Sequence, residues 1–319
     1  MIIAWYMNGK LKHEEITNNN QNLIHDALWL DLISPSHEEE ALIEQCLNLD
    51  VPTREEMQEI ELSSRLYKEN DVLFMTAPMV AQSQSTSPNQ DAVTFLLTPK
   101  QLITIRYIEP QAFKLFASIA PKLRVTNPAA FLTELLDATI DRFADVLEVI
   151  SHQLELFSQH IFQSHTPSTT DHQRLLQQLG INGALNSKIV ESLVSFGRLI
   201  SFFDQSAGEV LDNNCHVRLM TLNKDIYSLN DHAHFISNKI SFLLDATLGM
   251  VQIEQNAIIK IFSVAAVIFL PPTLIASIYG MNFQIMPELS WKYGYVFAVG
   301  LMLFASWLPY KYFKYRKWL

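Results

Sequence analysis

The side chains best placed for chemistry in this sequence are oxygen ligands rather than nucleophiles. Glu134, Asp137, Asp141, Asp145 and Glu148 recur every three or four residues and so share one helical face. Such a row repels itself at each i,i+4 pair; divalent cations would relieve that cost, and a solvated face can tolerate it. Asp91 is the only acid between Asp71 and Glu109, and Glu288 is the only acid after Glu254. Asn282 offers a neutral carboxamide two residues after Gly280; locally it reads equally well as a helix C-cap. His232 and His234 are two apart on a helical pattern and cannot face one ion together. Cys46 and Cys215 lie far apart with no CxxC, which indicates neither a disulfide framework nor a zinc knuckle. No GxSxG, Walker or HExxH pattern occurs, so an enzyme has no residues to rest on.

Two apolar runs at the C-terminal end must position the carboxamide. Ile261 to Tyr279 is uncharged over 19 residues and Tyr293 to Tyr310 over 18, each near the roughly 20 needed to cross a bilayer as a helix. Lys260 precedes the first run, and Lys311, Lys314, Arg316 and Lys317 follow the second. The positive-inside rule then places both termini in the cytoplasm and the short Gly280–Lys292 loop outside. Met1 to Lys10 is too short for a secretory signal and has no basic lead, so the N-terminus is expected to stay cytoplasmic.

The chain has 319 residues, 49% of them hydrophobic and only 18% charged, which excludes a disordered or fibrous protein. Its net charge of −10 divides unevenly. Residues 1–254 are strongly acidic and residues 255–319 basic, which argues against nucleic acid as a partner and fits a cytoplasmic body anchored in a membrane. Residues 1–126 read as a mixed α/β domain, with strands expected at Ala27–Ile33, Val72–Val80, Val93–Leu97 and Leu102–Tyr107. Ser36 and Glu39 form a capping-box pattern for a helix through Leu47. Gln82–Gln90 reads as a polar hairpin loop.

Residues 127–211 read as a helical hairpin. Asn127 caps a helix that begins at Pro128 and runs to about Phe162, His165–Thr170 breaks it, and a second helix follows from about Asp171 to Phe203. From Asp212 no proline intervenes until Pro271, about 60 residues or roughly 90 Å of helix. Leu219, Leu222, Ile226, Leu229, Ala233, Ile236, Ile240, Leu243, Thr247 and Met250 make an apolar seam at alternating spacings of three and four. This stalk, residues 212–260, leads without a break into the first span, residues 261–280. Pro271-Pro272 is expected to kink that span. An external loop (281–292), the second span (293–310) and a basic tail (311–319) complete the chain.

The first span ends in Tyr279-Gly280-Met281-Asn282-Phe283, followed by Met286-Pro287-Glu288-Leu289, a second span and a tail ending Lys317-Trp318-Leu319. In these features, and in its acidic body and long stalk, essentially the whole chain resembles the CorA family of divalent-cation channels. That family carries the Gly-Met-Asn signature where its first span ends. A zinc-transporting sister branch usually departs at the methionine and lacks the Met-Pro-Glu-Leu stretch. The resemblance implies a homopentamer in the bacterial inner membrane, with five first spans lining a pore that admits Mg²⁺, Co²⁺ and Ni²⁺, without ATP or organic cofactor.

The same resemblance assigns Gly280, Met281 and Asn282 to a selectivity filter and Glu288 to an attracting ring in the external loop. It makes Asn256, Ile259, Phe262, Ala266, Leu270 and Thr273 pore-lining. Mg²⁺ dehydrates reluctantly, so a ring of neutral carboxamides facing its water shell would capture the ion without trapping it. The apolar positions could gate by dewetting. Asp245, eleven residues before Asn256, matches an acidic stalk position of an inter-subunit regulatory Mg²⁺ site, with Asp91 as its candidate partner on the next subunit. The alternatives are a zinc or other divalent transporter on the same fold, and a non-conducting membrane-anchored divalent sensor or scaffold.

Overall fold

The computed structural model describes residues 1–59, 61–85, 87–123, 125–163, 169–208, 211–282 and 286–316. The chain divides into two compact units, Met1–Leu244 and Asp245–Leu319.

The first unit is built on a seven-stranded sheet: β1 (Ile2–Asn8), β2 (Lys10–Glu15), β3 (Ala27–Ile33), β4 (Leu66–Glu69), β5 (Val72–Ala81), β6 (Asn89–Leu97) and β7 (Leu102–Arg106). Their order is β2-β1-β3-β7-β6-β5-β4. Only β3 and β7 run parallel, in the register Leu30↔Ile103 and Leu32↔Ile105; every other pair is antiparallel. Four expected strands are found at nearly the expected bounds. The additional strands β1, β2 and β4 include both edges, where short or charged sequences are tolerated because only one side is paired. Asn70 and Asp71, at φ of 47° and 65°, make the two-residue turn between β4 and β5, a conformation that asparagine and aspartate accept more readily than most residues. The β5–β6 hairpin was expected to open over Gln82–Gln90, but Asn89 and Gln90 already pair with Ala81 and Val80.

Alternation along the strands gives the sheet two apolar faces. Leu30, Leu32, Leu96, Ile103 and Ile105 share one core with Ile24 of α1 (Leu23–Asp26) and Ile43 of α2 (His37–Leu47). Helix α2 begins with a complete capping box, Ser36 accepting from the Glu39 amide and Glu39 from the Ser36 amide. On the opposite face the Trp29 ring lies within 6.2 Å, centroid to centroid, of Phe113 and Phe116 of α5 (Gln111–Ile119) and Phe131 of α6 (Pro128–Gln163). Phe196 of α7 (Thr169–Ser206) meets Phe95 and Phe143 edge-on. Burying each of these large aromatic side chains stabilises the layer by on the order of 2 kcal/mol.

That second face also holds a buried ion pair. Arg106 donates from Nε and Nη2 to Asp31 at 3.1 and 2.9 Å and from Nη1 to the Ile108 carbonyl at 2.9 Å. Trp29 Nε1 donates to Thr104 Oγ1, which donates onward to Asp31. Every strong donor in the cluster has an acceptor, which makes the buried charge tolerable.

Asn127 caps α6 as expected, its side chain accepting from the Ala129 amide at 2.9 Å. The expected break at His165–Thr170 lies largely outside the described residues. The third long helix, α8, runs from Asn213 to Tyr279 and so crosses from the first unit into the second. It does not stop at Pro271-Pro272; both prolines lie inside it. Of the seam residues, Leu219, Leu222, Ile226, Ala233, Ile236, Leu243 and Thr247 are buried, and Leu229, Ile240 and Met250 are partly buried. Close helix contact is possible because α7 places Gly197 beneath Ile226; a Cβ there would sit 3.4 Å from its Cγ2. Helix α9 (Gly294–Tyr315) follows a short 3₁₀ turn at Pro287–Ser290.

Candidate ion pathway and metal sites

In the second unit, α8 and α9 are both long and apolar enough to cross a membrane, and only 6% of each span's most apolar window is buried within the chain. Within residues 261–279 of α8, those covered at least in part are Val264, Ala265, Ile268, Pro271, Pro272, Ile275 and Tyr279. Their spacing of three and four defines one stripe. Asn256, Ile259, Phe262, Ala266, Leu270 and Thr273 occupy the other side, and every one of them is exposed. Phe262 is 73% and Leu270 65% accessible. Large apolar side chains this open on a helix 67 residues long leave a continuous surface that a single chain does not cover. Thr273 spends its hydroxyl on the Phe269 carbonyl at 2.7 Å, a local bond that needs no external partner in an apolar setting.

Among the described residues, the C-terminal end of α8 is closed by backbone hydrogen bonds. The Gly280 amide donates to the Ala276 and Ser277 carbonyls, and the Met281 amide to Ile278. Neither Gly280 nor Asn282 has a positive φ, so the left-handed cap that would explain Asn282 structurally is not formed. A Cβ at Gly280 would lie 3.2 Å from the Ala276 carbonyl oxygen, so a larger residue there would need the backbone to give by a few tenths of an ångström. Asn282 and Met281 are exposed, and no hydrogen bond to the described residues ties down the Asn282 carboxamide. Glu288 lies in the 3₁₀ turn, stabilised by Ser290 Oγ donating to the Pro287 carbonyl at 2.7 Å. Its side chain and Phe283 lie outside what is described.

The two acids expected to share a regulatory ion have different surroundings. Asp245 is exposed on α8. Asp91, on β6, is mostly buried and already paired: Arg54 Nη2 donates to Oδ2 at 3.0 Å and Gln58 Nε2 to Oδ1 at 3.3 Å. The Arg54 guanidinium also lies 4.8 Å over the Tyr107 ring. Burial and the bond from Tyr107 to Glu40 push that phenol up to about 12. Arg54 is delivered by α3 (Arg54–Met57), whose Thr53–Glu56 capping box fixes its first residue. Sequence reasoning did not find this pairing, because its two members stand 37 residues apart.

The acidic face of α6 is partly neutralised as well. Arg218 of α8 forks across it, pairing with both Glu134 and Asp137. Arg142 reaches Asp145 at 3.4 Å and Ser83 at 3.2 Å. Asp141 is left among like charges, and burial, then Asp137, Asp145 and Asp225, raise its pKa. No group of three or more His, Cys, Asp or Glu side chains able to hold a metal occurs among the described residues. His232 instead meets Ser151 Oγ at 3.1 Å.

An α/β unit followed by two helices long and apolar enough to cross a membrane is the architecture of a two-span membrane protein. Comparison with known proteins makes the class specific. The CorA-like Mg²⁺ transporter protein family matches residues 25–316, and the chain belongs to that family. Its members are transporters and not enzymes. The magnesium transport protein CorA of Pasteurella multocida is 36% identical over 306 residues, 95% of this chain and 96% of that one. Its counterpart in Escherichia coli K12 is 33% identical over 314 residues, 98% of each. The complete structure of the CorA magnesium transporter from Methanocaldococcus jannaschii shares the fold at a TM-score of 0.77 over 100% of this chain and 99% of that one, with 17% identity.

Proposed function

We propose that five copies of this chain form a Mg²⁺ channel of the bacterial inner membrane, with both termini in the cytoplasm. The observation that carries this reading is the uncovered face of α8. Asn256, Ile259, Phe262, Ala266, Leu270 and Thr273 all lie opposite the partly covered stripe of the span that ends at the exposed Asn282. Packing five such faces around an axis would cover the apolar surface and produce a pore lined by them. Ile259, Phe262 and Leu270 would form its dewetting constriction.

Gly280, Met281 and Asn282 form the filter. A ring of five carboxamides presents acceptors to the water shell of the ion, and Mg²⁺, Co²⁺ and Ni²⁺ then enter down their gradients. Glu288 raises the local cation concentration at the mouth. Cytoplasmic Mg²⁺ bound at Asp245 and a neighbouring subunit's acid holds the assembly closed. If that acid is Asp91, the ion must take the place that the Arg54 guanidinium holds in the isolated chain. The ligand biases the gate only by binding the closed state more tightly than the open one.

Radiotracer Mg²⁺ uptake into proteoliposomes, with Co²⁺ and Ni²⁺ as competitors and Mg²⁺ loaded inside, tests the reading. Uptake that both ions compete for and that internal Mg²⁺ suppresses is the expected result. Assembled protein that passes no ion is a scaffold, and uptake of Zn²⁺ in preference to Mg²⁺ assigns a different cargo.

A further inference from the structure

At its basic end the second unit contains a groove of about 620 Å³ between the two spans, walled by Ile268 of α8 and Leu303, Phe304, Ser306, Trp307 and Tyr310 of α9. Apart from the Ser306 hydroxyl and the Tyr310 phenol its lining is hydrocarbon and aromatic. One turn beyond Trp307 on the same face stands Lys311, its Nζ held 4.8 Å over the indole ring. Laid back along the helix in this way, the ammonium sits over the ring at the polar end of the groove. Lys314 and Arg316 follow, and both are exposed. No acid lies nearby in sequence, since none follows Glu288. The site therefore combines an apolar slot as long as two helical turns with a fixed positive charge at one end, flanked by further positive charge. A molecule with an acyl chain and a net-anionic head matches both parts, whereas a zwitterionic lipid carries a cation beside its phosphate and gains less from the basic cluster.

We propose that this groove binds one anionic phospholipid, its acyl chain against Ile268, Phe304 and Trp307 and its phosphate at Lys311. The assignment rests on the membrane placement of α8 and α9 given above. Lys311 supplies charge-assisted contact to the phosphate, Trp307 fixes the lysine stem, and Tyr310 stands at the level of the headgroup, where aromatic side chains with a polar tip favour the interface. The aligned carbonyls at the end of α9 draw the cations of the last turn, Lys314 and Arg316. Lys311, a turn earlier, is the cation left for the lipid.

The test uses the full-length chain with Trp291 and Trp318 changed to Phe, which leaves Trp307 as the only tryptophan in the second unit. It is reconstituted in vesicles of phosphatidylcholine containing either dibrominated phosphatidylglycerol or dibrominated phosphatidylcholine, and fluorescence quenching is recorded against mole fraction. Quenching at a several-fold lower fraction of the anionic lipid is expected. Lys311→Gln should reduce that preference about fivefold, the weight of one basic residue at an anionic surface, and Lys311→Arg should keep it. Equal quenching by the two lipids overturns the proposal. So does the absence of quenching by either, which would show the groove filled by another copy of the chain. Mg²⁺ uptake by the same vesicles is measured in parallel. Lost uptake with intact lipid preference counts against the transport reading alone, and intact uptake without preference against the lipid site alone.

Discussion

Removing the Asp31 carboxylate should destabilise the first unit far more than removing the whole ion pair. Asp31 and Arg106 side chains are only 4% and 7% exposed, and Asp31 accepts from Arg106 twice and from Thr104 once. Asp31→Ala leaves a guanidinium without its counter-charge between β3, β7 and the Phe113 ring, which its carbon approaches at 4.9 Å. Stranding one member of a buried pair costs about 3–5 kcal/mol. For a unit of 244 residues that corresponds to a fall in Tm of roughly 6–20 °C. Asp31→Leu combined with Arg106→Met removes both charges and keeps the volume. It should recover most of the loss, short of about 1 kcal/mol each for the Thr104 hydroxyl left without its acceptor and the Ile108 carbonyl left without its donor. Thermal unfolding in detergent, followed by the fluorescence of Trp29 in the same hydrogen-bonded chain, measures both variants. A single variant that melts within about 2 °C of the original chain, or a double variant as unstable as the single, refutes the reasoning.

Asp141 has a pKa raised by burial and by its acidic neighbours. A carboxyl whose folded-state pKa stands above its unfolded value favours folding when protonated, so its contribution is lost as pH rises through the carboxylate range. Asp141→Asn should therefore raise Tm near pH 7 and give no gain at about pH 3, below the unfolded value; a gain independent of pH contradicts the charge argument. Arg54→Ala should strengthen inhibition by internal Mg²⁺ if Asp91 is the second acid of the regulatory site, because the guanidinium is then a tethered competitor. Asp245→Ala should weaken the same inhibition while conduction persists, and unchanged inhibition in both variants would remove this pair from gating. Glu288→Gln should lower uptake chiefly at low external Mg²⁺ and low ionic strength, since it removes only long-range attraction; an equal deficit at saturating Mg²⁺ assigns the loop another role.

Local signals in the sequence carried a large part of the fold. Ala27–Ile33 is legible because a strand covered on both faces reads as an apolar run, here interrupted only by Asp31, and its bounds are those expected. The Ser36 and Asn127 caps and the α8 seam depend on residues within one or two turns and are formed as expected. Strand β2, Lys-Leu-Lys-His-Glu-Glu, carries almost no apolar signal because it is an edge that buries only Leu11. The continuation of α8 through Pro271-Pro272 runs against local propensity, which a proline pair lowers whatever surrounds it. At the candidate sites, the resemblance pointed to Asn282 and one face of α8, and in the structure these residues are exposed in a single chain. What stayed hidden were the pairings of Asp91 with Arg54 and of Glu134 with Arg218, the second spanning 84 residues. Periodicity along one helix says nothing about a cation delivered from another.

The central claim is that a ring of Asn282 carboxamides passes Mg²⁺, and it is tested most directly by Mg²⁺ uptake in proteoliposomes containing the Asn282→Ala chain. The substitution removes an exposed acceptor oxygen and no hydrogen bond to the described residues, so assembly, checked by mass in detergent, should match that of the original chain. Uptake by the original chain and none by the correctly assembled variant is the result the account predicts. Undiminished Mg²⁺ uptake by that variant would contradict it.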